Sequence, residues 1–179
     1  MRLFIAIEFP EEVKNALLAG AKATEKYFSR ANYSRRENYH LTLVFLGETD
    51  RSRVKAVTGA MDRCAFPPFE ITIGKAGRFR RDGGDTLWRR ADVPDILFSA
   101  QKKLTAELIS LGFSLESREF KPHITVAREA AALPTVDFDS IDFGKPLTFT
   151  VNSMTLMRSD RINGVLTYTP VYRVKGGAK

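Results

Sequence analysis

A four-residue pattern, His-φ-Thr-φ with φ apolar, occurs twice in this chain. It reads HLTL at residues 40–43, inside NYHLTLVF, and HITV at 123–126, inside KPHITVAR. The chain has only these two histidines. Side chains alternate across a strand with period two. His40 and Thr42 therefore share one face, while Leu41, Leu43 and Phe45 cover the other. His123 and Thr125 stand in the same relation to Ile124 and Val126. The two copies lie close to half the chain apart. This predicts two similar lobes, related by an approximate twofold axis, whose polar strand faces line one cleft.

The rest of the chain supplies a frame for two such strands. Leu3–Phe9 is apolar on nearly both faces and predicts a central strand. Pro10, Glu11 and Glu12 suit the first turn of a helix over 11–28, with Val13, Ala16, Leu17 and Phe28 inward. A second helix follows Thr49 or Asp50 and carries Val57, Met61 and Cys64 on its apolar side. A third opens at Asp92 or Pro94 and runs to Leu111. Strands are predicted at 39–46, 69–73, 86–90, 124–127, 147–156 and 164–172, with a loop over 77–85, a linker over 129–140 and a frayed tail, KGGAK. Short strands interleaved with three helices predict an α+β fold with antiparallel sheets.

Two imidazoles facing one cleft suit phosphodiester chemistry. A neutral histidine takes a proton from water, and a protonated one gives a proton to the leaving oxygen. Threonine hydroxyls can donate to the non-bridging phosphate oxygens, and a cation stabilises the charge that builds there. Arg128 is the first candidate for that cation. A regular strand would turn it away from His123, so a bulge or strand end near Ala127 is required. No carboxylate or cysteine stands in ligand-like spacing with either histidine, and neither a P-loop nor a G-x-S-x-G elbow occurs.

Charge points the same way. Lysine and arginine number 28 against 21 acidic residues, a formal charge of +7, which favours a polyanionic partner. The segment 75–90 holds Lys75, Arg78, Arg80, Arg81, Arg89 and Arg90, with Phe79 and Trp88 interleaved. That composition suits a single-stranded RNA contact. Arg35 and Arg36 stand just before the first histidine strand, and Tyr39 and Phe120 flank the two motifs as candidate base-stacking residues. The single cysteine, Cys64, forms no intrachain disulfide and suits a reducing compartment. MRLFIAIEFP reads as a first strand and not as a signal peptide, so a cytoplasmic protein is expected.

These residues resemble a known family, the two-histidine phosphoesterases, and more closely the bacterial and archaeal RNA 2',3'-cyclic phosphodiesterases first described as 2'-5' RNA ligases. The resemblance rests on FIAIEFP, NYHLTLVFLGE and KPHITVAR and covers essentially the whole chain. It implies one bilobal catalytic domain over residues 1–179, with a cleft between two antiparallel sheets, helices outside and pseudo-twofold symmetry. It implies hydrolysis of an RNA terminal 2',3'-cyclic phosphate to a 2'-phosphomonoester with a free 3'-hydroxyl, and 2'-5' ligation as a side activity. His40 matches the proton donor and His123 the proton acceptor. Thr42, Thr125 and Arg128 match the phosphate-binding residues. No metal and no cofactor is expected. The expected partner is an RNA 3' end, a tRNA fragment or a degradation product alike, met by a monomer. The competing expectations are a phosphodiesterase for another small cyclic nucleotide and a non-enzymatic, basic RNA-binding module. In the second case replacing His40 leaves function intact.

Overall fold

The computed structural model describes residues 1–176 of the 179. Nine strands form two antiparallel sheets, and three helices cover them. The strands are β1 (Arg2–Glu8), β2 (Phe28–Tyr33), β3 (His40–Glu48), β4 (Phe69–Phe79), β5 (Asp85–Asp92), β6 (His123–Ala132), β7 (Leu147–Val151), β8 (Ser153–Ile162) and β9 (Val165–Lys175). The helices are α1 (Glu11–Thr24), α2 (Val54–Arg63) and α3 (Asp95–Ser110). The first sheet has the order β3-β1-β8-β9 and the second β2-β6-β5-β4-β7. Each sheet therefore contains one histidine strand. The lobes are not simple halves of the chain, because β2 belongs to the second sheet and β8 and β9 return to the first.

Burial follows the strand alternation. Leu3, Ile5, Ile7, Leu41 and Leu43 join Val13, Leu17, Val57, Met61, Leu97 and Leu104 in the main core, which also takes Ile71, Ile73 and Ile124 from the second sheet. Cys64 is buried there, as expected for a core thiol. A smaller cluster under the second sheet holds Ala21, Leu87, Val126, Ala127 and Phe143.

Four sequence expectations need correction. The first helix stops at Thr24. After one 3-10 turn the chain enters β2, which pairs antiparallel with β6. The strand expected at 69–73 continues to Phe79, so the loop is confined to 80–84. Gly77 is a strand residue. A Cβ there would lie 2.4 Å from the Trp88 ring, so glycine makes room for the indole to cross the sheet. The linker expected from 129 is strand as far as Ala132. The run 147–156 is two strands, and the chain crosses from one sheet to the other at Asn152. Of the KGGAK tail, residues 177–179 lie outside the described residues.

Arg89 also departs from its expected place in a solvated basic segment. It is 2% exposed. Its guanidinium donates to the carbonyls of Gly74 (2.9 Å), Ile73 (3.3 Å), Phe143 (3.3 Å), Gly144 (3.2 Å) and Lys145 (2.8 Å). It thus ties β4 to the segment leading into β7. Burial lowers its pKa, and Asp142 opposes the shift. Arg89→Met is expected to leave several buried carbonyls without donors, at about 1–3 kcal/mol each. For a domain of this size a loss of about 3 kcal/mol lowers Tm by roughly 10 °C, which a thermal melt reads directly. Arg89→Lys, with only three donors on one nitrogen, should lose less than Arg89→Met but not recover the wild-type Tm.

Candidate active site between the sheets

Strands β3 and β6 meet where the two sheets face each other. Both run with the same burial sequence from the histidine onward: partly exposed, buried, partly exposed, buried, buried, exposed. The two consecutive buried positions break the period of two, and strand register gives the cause. Ile5 pairs with Val44 and Ala6 with Thr42, so Leu43 is an extra residue in β3. Leu87 pairs with Ala127 and Trp88 with Thr125, so Val126 is an extra residue in β6. The same β-bulge therefore sits three residues after each histidine. A bulge re-aims the side chains beyond it. Arg128 returns to the face of His123 and Thr125, and Phe45, its counterpart in β3, returns to the face of His40 and Thr42.

The histidines are held alike. His40 Nδ1 donates to the Asn38 carbonyl at 2.7 Å, and His123 Nδ1 to the Lys121 carbonyl at 2.6 Å. Each bond reaches back two residues and leaves Nε2 as the ring nitrogen not engaged by the backbone. At His40, the Thr42 hydroxyl donates to Nε2 at 2.9 Å. Aromatic rings flank both imidazoles. Phe4 and Tyr168 lie 4.9 Å and 5.2 Å from His40, and Phe79 and Trp88 lie 5.3 Å and 6.2 Å from His123. Removal from water disfavours charging an imidazole. The His40 pKa is lowered to about 4, chiefly by burial; the Asn38 carbonyl and Glu8 oppose the shift, and Arg128 and His123 add to it. Burial also lowers the His123 pKa, the Lys121 carbonyl opposes, and Arg128 adds to the depression.

The cleft is not symmetric. A cavity of about 280 Å3 opens on the His40 side, with His40, Tyr168, Thr125, Arg128, Arg35 and Arg161 in its wall. It is lined by three arginines and no carboxylate. Arg161, together with Val165 and Leu166, comes from the β8–β9 hairpin, and the Asn38 side chain donates to the Leu166 carbonyl at 3.0 Å to hold the hairpin against the strand. No group of three or more His, Cys, Asp or Glu side chains arranged to share a metal ion occurs among the described residues.

The model of the 2'-5' RNA ligase superfamily matches residues 9–163. The chain belongs to that superfamily. An RNA 2',3'-cyclic phosphodiesterase of Thermotoga maritima is 37% identical over 134 residues, 72% of this chain and 70% of the relative. One of Escherichia coli is 30% identical over 172 residues, 96% of this chain and 94% of the relative. The crystal structure of E. coli LigT complexed with 3'-AMP has a TM-score of 0.81 and 29% identity, covering 99% of this chain and 98% of LigT.

The other residues singled out in this superfamily member fall in different places. Arg35 lines the cavity, with an exposed ion pair to Glu37 at 3.6 Å. Arg36 is held by Glu11 and by Asn15 Oδ1. Arg78 pairs with Asp85 at 3.3 Å and lies over the Phe138 ring. Arg80 is exposed in the turn after β4. Trp88 sits behind His123 with its indole nitrogen buried and unpartnered. Tyr39 is 2% exposed and lies in the core, where burial raises its pKa to about 12. Phe120 packs edge-on against Phe98 of α3. Three residues at the site had no sequence signal of their own, Phe4, Tyr168 and Arg161, and all reach it from strands other than the histidine strands. Phe45, expected on the face away from His40, is brought to it by the bulge at Leu43. No helix among the described residues is long and apolar enough to cross a membrane.

Proposed function

We propose that this chain hydrolyses the 2',3'-cyclic phosphate at an RNA 3' end to a 2'-phosphomonoester and a free 3'-hydroxyl. The two histidines act as general acid and general base, and the whole chain, 1–179, works as one bilobal catalytic domain. The observation that carries the reading is the pair of matched, bulged strands, which presents two Nε2 atoms to one cleft with a nucleotide-sized cavity on its His40 side.

The asymmetry supports the division of labour. The nucleophile enters in line with the leaving oxygen, from the opposite side of phosphorus. In a 2',3'-cyclic phosphate both ring oxygens belong to the same ribose, so the nucleoside lies on the leaving side. The cavity beside His40 is the place with room for it. His40 then faces O3' and His123 faces the water. His123 Nε2 takes a proton from water, whose oxygen attacks phosphorus. The P–O3' bond breaks, and His40 Nε2–H gives its proton to O3'. Thr42 and Thr125 donate to the non-bridging oxygens, and Arg128 balances the charge that develops on them. Thr42 must turn from His40 Nε2 toward phosphate when the substrate binds.

The site reads a phosphate, a ribose and a strand end, so RNA ends are substrates whatever their origin, tRNA fragments included. The reverse reaction on a 5'-hydroxyl can use the same groups as a side activity. A buried, unpaired Cys64 fits a cytoplasmic monomer.

The test is a short RNA ending in a 2',3'-cyclic phosphate, incubated with the protein in EDTA and followed by phosphorus NMR. A 2'-monophosphate is expected. A 3'-monophosphate would mean that O2' and not O3' is the leaving oxygen, with the ribose turned over beside His40. No turnover of this RNA would overturn the reading.

A further inference from the structure

The β8–β9 hairpin contributes Arg161 to the cavity wall, and the segment before β3 contributes Arg35. Both side chains are exposed. Arg161 donates only to the Gly164 carbonyl in its own turn, at 3.1 Å, and no carboxylate pairs with it among the described residues. Arg35 has the weak exposed pair to Glu37. Neither is needed to hold the histidines, whose Nδ1 atoms are bound by the Asn38 and Lys121 carbonyls.

Size decides what these cations can meet. A cavity of about 280 Å3 is at the lower limit of ligand sites, which run from about 300 Å3 upward. It has room for a single nucleotide. With the cyclic phosphate between the histidines and its ribose beside His40, the 5'-oxygen of that ribose must leave over the rim. The next phosphodiester of the RNA is attached there. Arg35 and Arg161 are rim cations of this cavity, while Arg128 is the cation beside the histidines.

We infer that Arg35 and Arg161 hold the phosphodiester immediately upstream of the terminal nucleotide, and so make the enzyme select RNA ends over free nucleoside 2',3'-cyclic phosphates. This rests on the function proposed above. An arginine–phosphate contact is charge-assisted and can be bidentate, so it adds affinity without reading the base. Val165 and Leu166, 42% and 36% exposed beside Arg161, offer an apolar shelf to the base of the upstream nucleotide.

The experiment compares kcat/KM on three substrates: adenosine 2',3'-cyclic phosphate, the dinucleotide ApA ending in the same cyclic phosphate, and that dinucleotide with an uncharged methylphosphonate linkage. For the wild type, the natural dinucleotide is expected to exceed the mononucleotide by about tenfold or more, in line with one charge-assisted contact. The methylphosphonate should fall back toward the mononucleotide. In Arg161→Gln, and further in Arg35→Gln/Arg161→Gln, the ratio of natural dinucleotide to mononucleotide should collapse, and the methylphosphonate should cost nothing more. The salt dependence of kcat/KM for the natural dinucleotide should also weaken as these cations are removed, because less of the binding is then open to screening. Equal rates on mononucleotide and dinucleotide would overturn the inference while leaving the proposed function standing. Full preference retained on the methylphosphonate would overturn it too, because the apolar shelf would then be the source. Failure of the wild type on all three substrates would instead refute the function on which the inference rests.

Discussion

His40→Ala and His123→Ala are each expected to lower kcat on a cyclic-phosphate RNA end by about 10²–10⁴-fold, the range for loss of a positioned general acid or base. The double variant should lose little beyond the worse single one, because the two groups act in one proton relay. Product binding should largely survive, since Arg128 and the threonines remain. A simple RNA-binding module gives the opposite result, with no catalytic step to lose. The pH dependence is the sharper check. In the free protein burial holds His40 at about 4 and puts His123 below its ordinary value. The acid must be protonated and the base neutral, so kcat/KM, which reports the free enzyme, should peak on the acid side of neutrality. Above the higher of the two pKa values it should fall about tenfold per pH unit. The bound phosphate anion favours the imidazolium and raises these pKa values in the complex. The alkaline limb of kcat should therefore lie at higher pH than that of kcat/KM. If kcat/KM stays flat from neutrality into the alkaline range, free His40 is not the proton donor.

The histidine strands were legible because strand alternation and the chemistry of imidazole meet in the same four residues. The helices were legible wherever their apolar stripe ended at a breaker, as α3 does before Gly112. The end of α1 was not. Phe28 lies eleven residues after Leu17, about three helical turns, and so extends the buried stripe by periodicity alone. Tertiary pairing with β6 won instead. The crossing at Asn152 was hidden for a similar reason. The residues on either side of it are strand formers, and only the partner strands reveal that they belong to different sheets. The arginines divide in the same way. Arg89 and Arg161 look alike in sequence, yet one is buried on five carbonyls and the other lines the cleft. Which role each takes depends on segments far away in the chain.

Arg128 is the position where local periodicity and structure disagree most, and its replacement should have the second-largest effect. A signal was present in both motifs: Leu43–Val44 and Val126–Ala127 are apolar doublets that break the alternation. In the folded protein the bulge absorbs the extra residue and returns Arg128 to the face of His123 and Thr125. Phe45 occupies the equivalent place in β3 and is 53% exposed, so the pseudo-twofold site holds one cation and not two. Arg128→Gln should lower kcat by about 10²–10³-fold, the usual cost of removing one donor aimed at developing charge. It should also raise the pKa of both imidazoles, because Arg128 lowers each of them. Proton NMR of the two histidines reads that shift in the free protein. Arg128→Lys keeps the charge but loses the planar fork, so it should restore the titrations more fully than the rate. A surface arginine would leave both unchanged. A loss of rate with unmoved histidine titrations would mean that Arg128 supports the strand and does not act on the charge in the cleft.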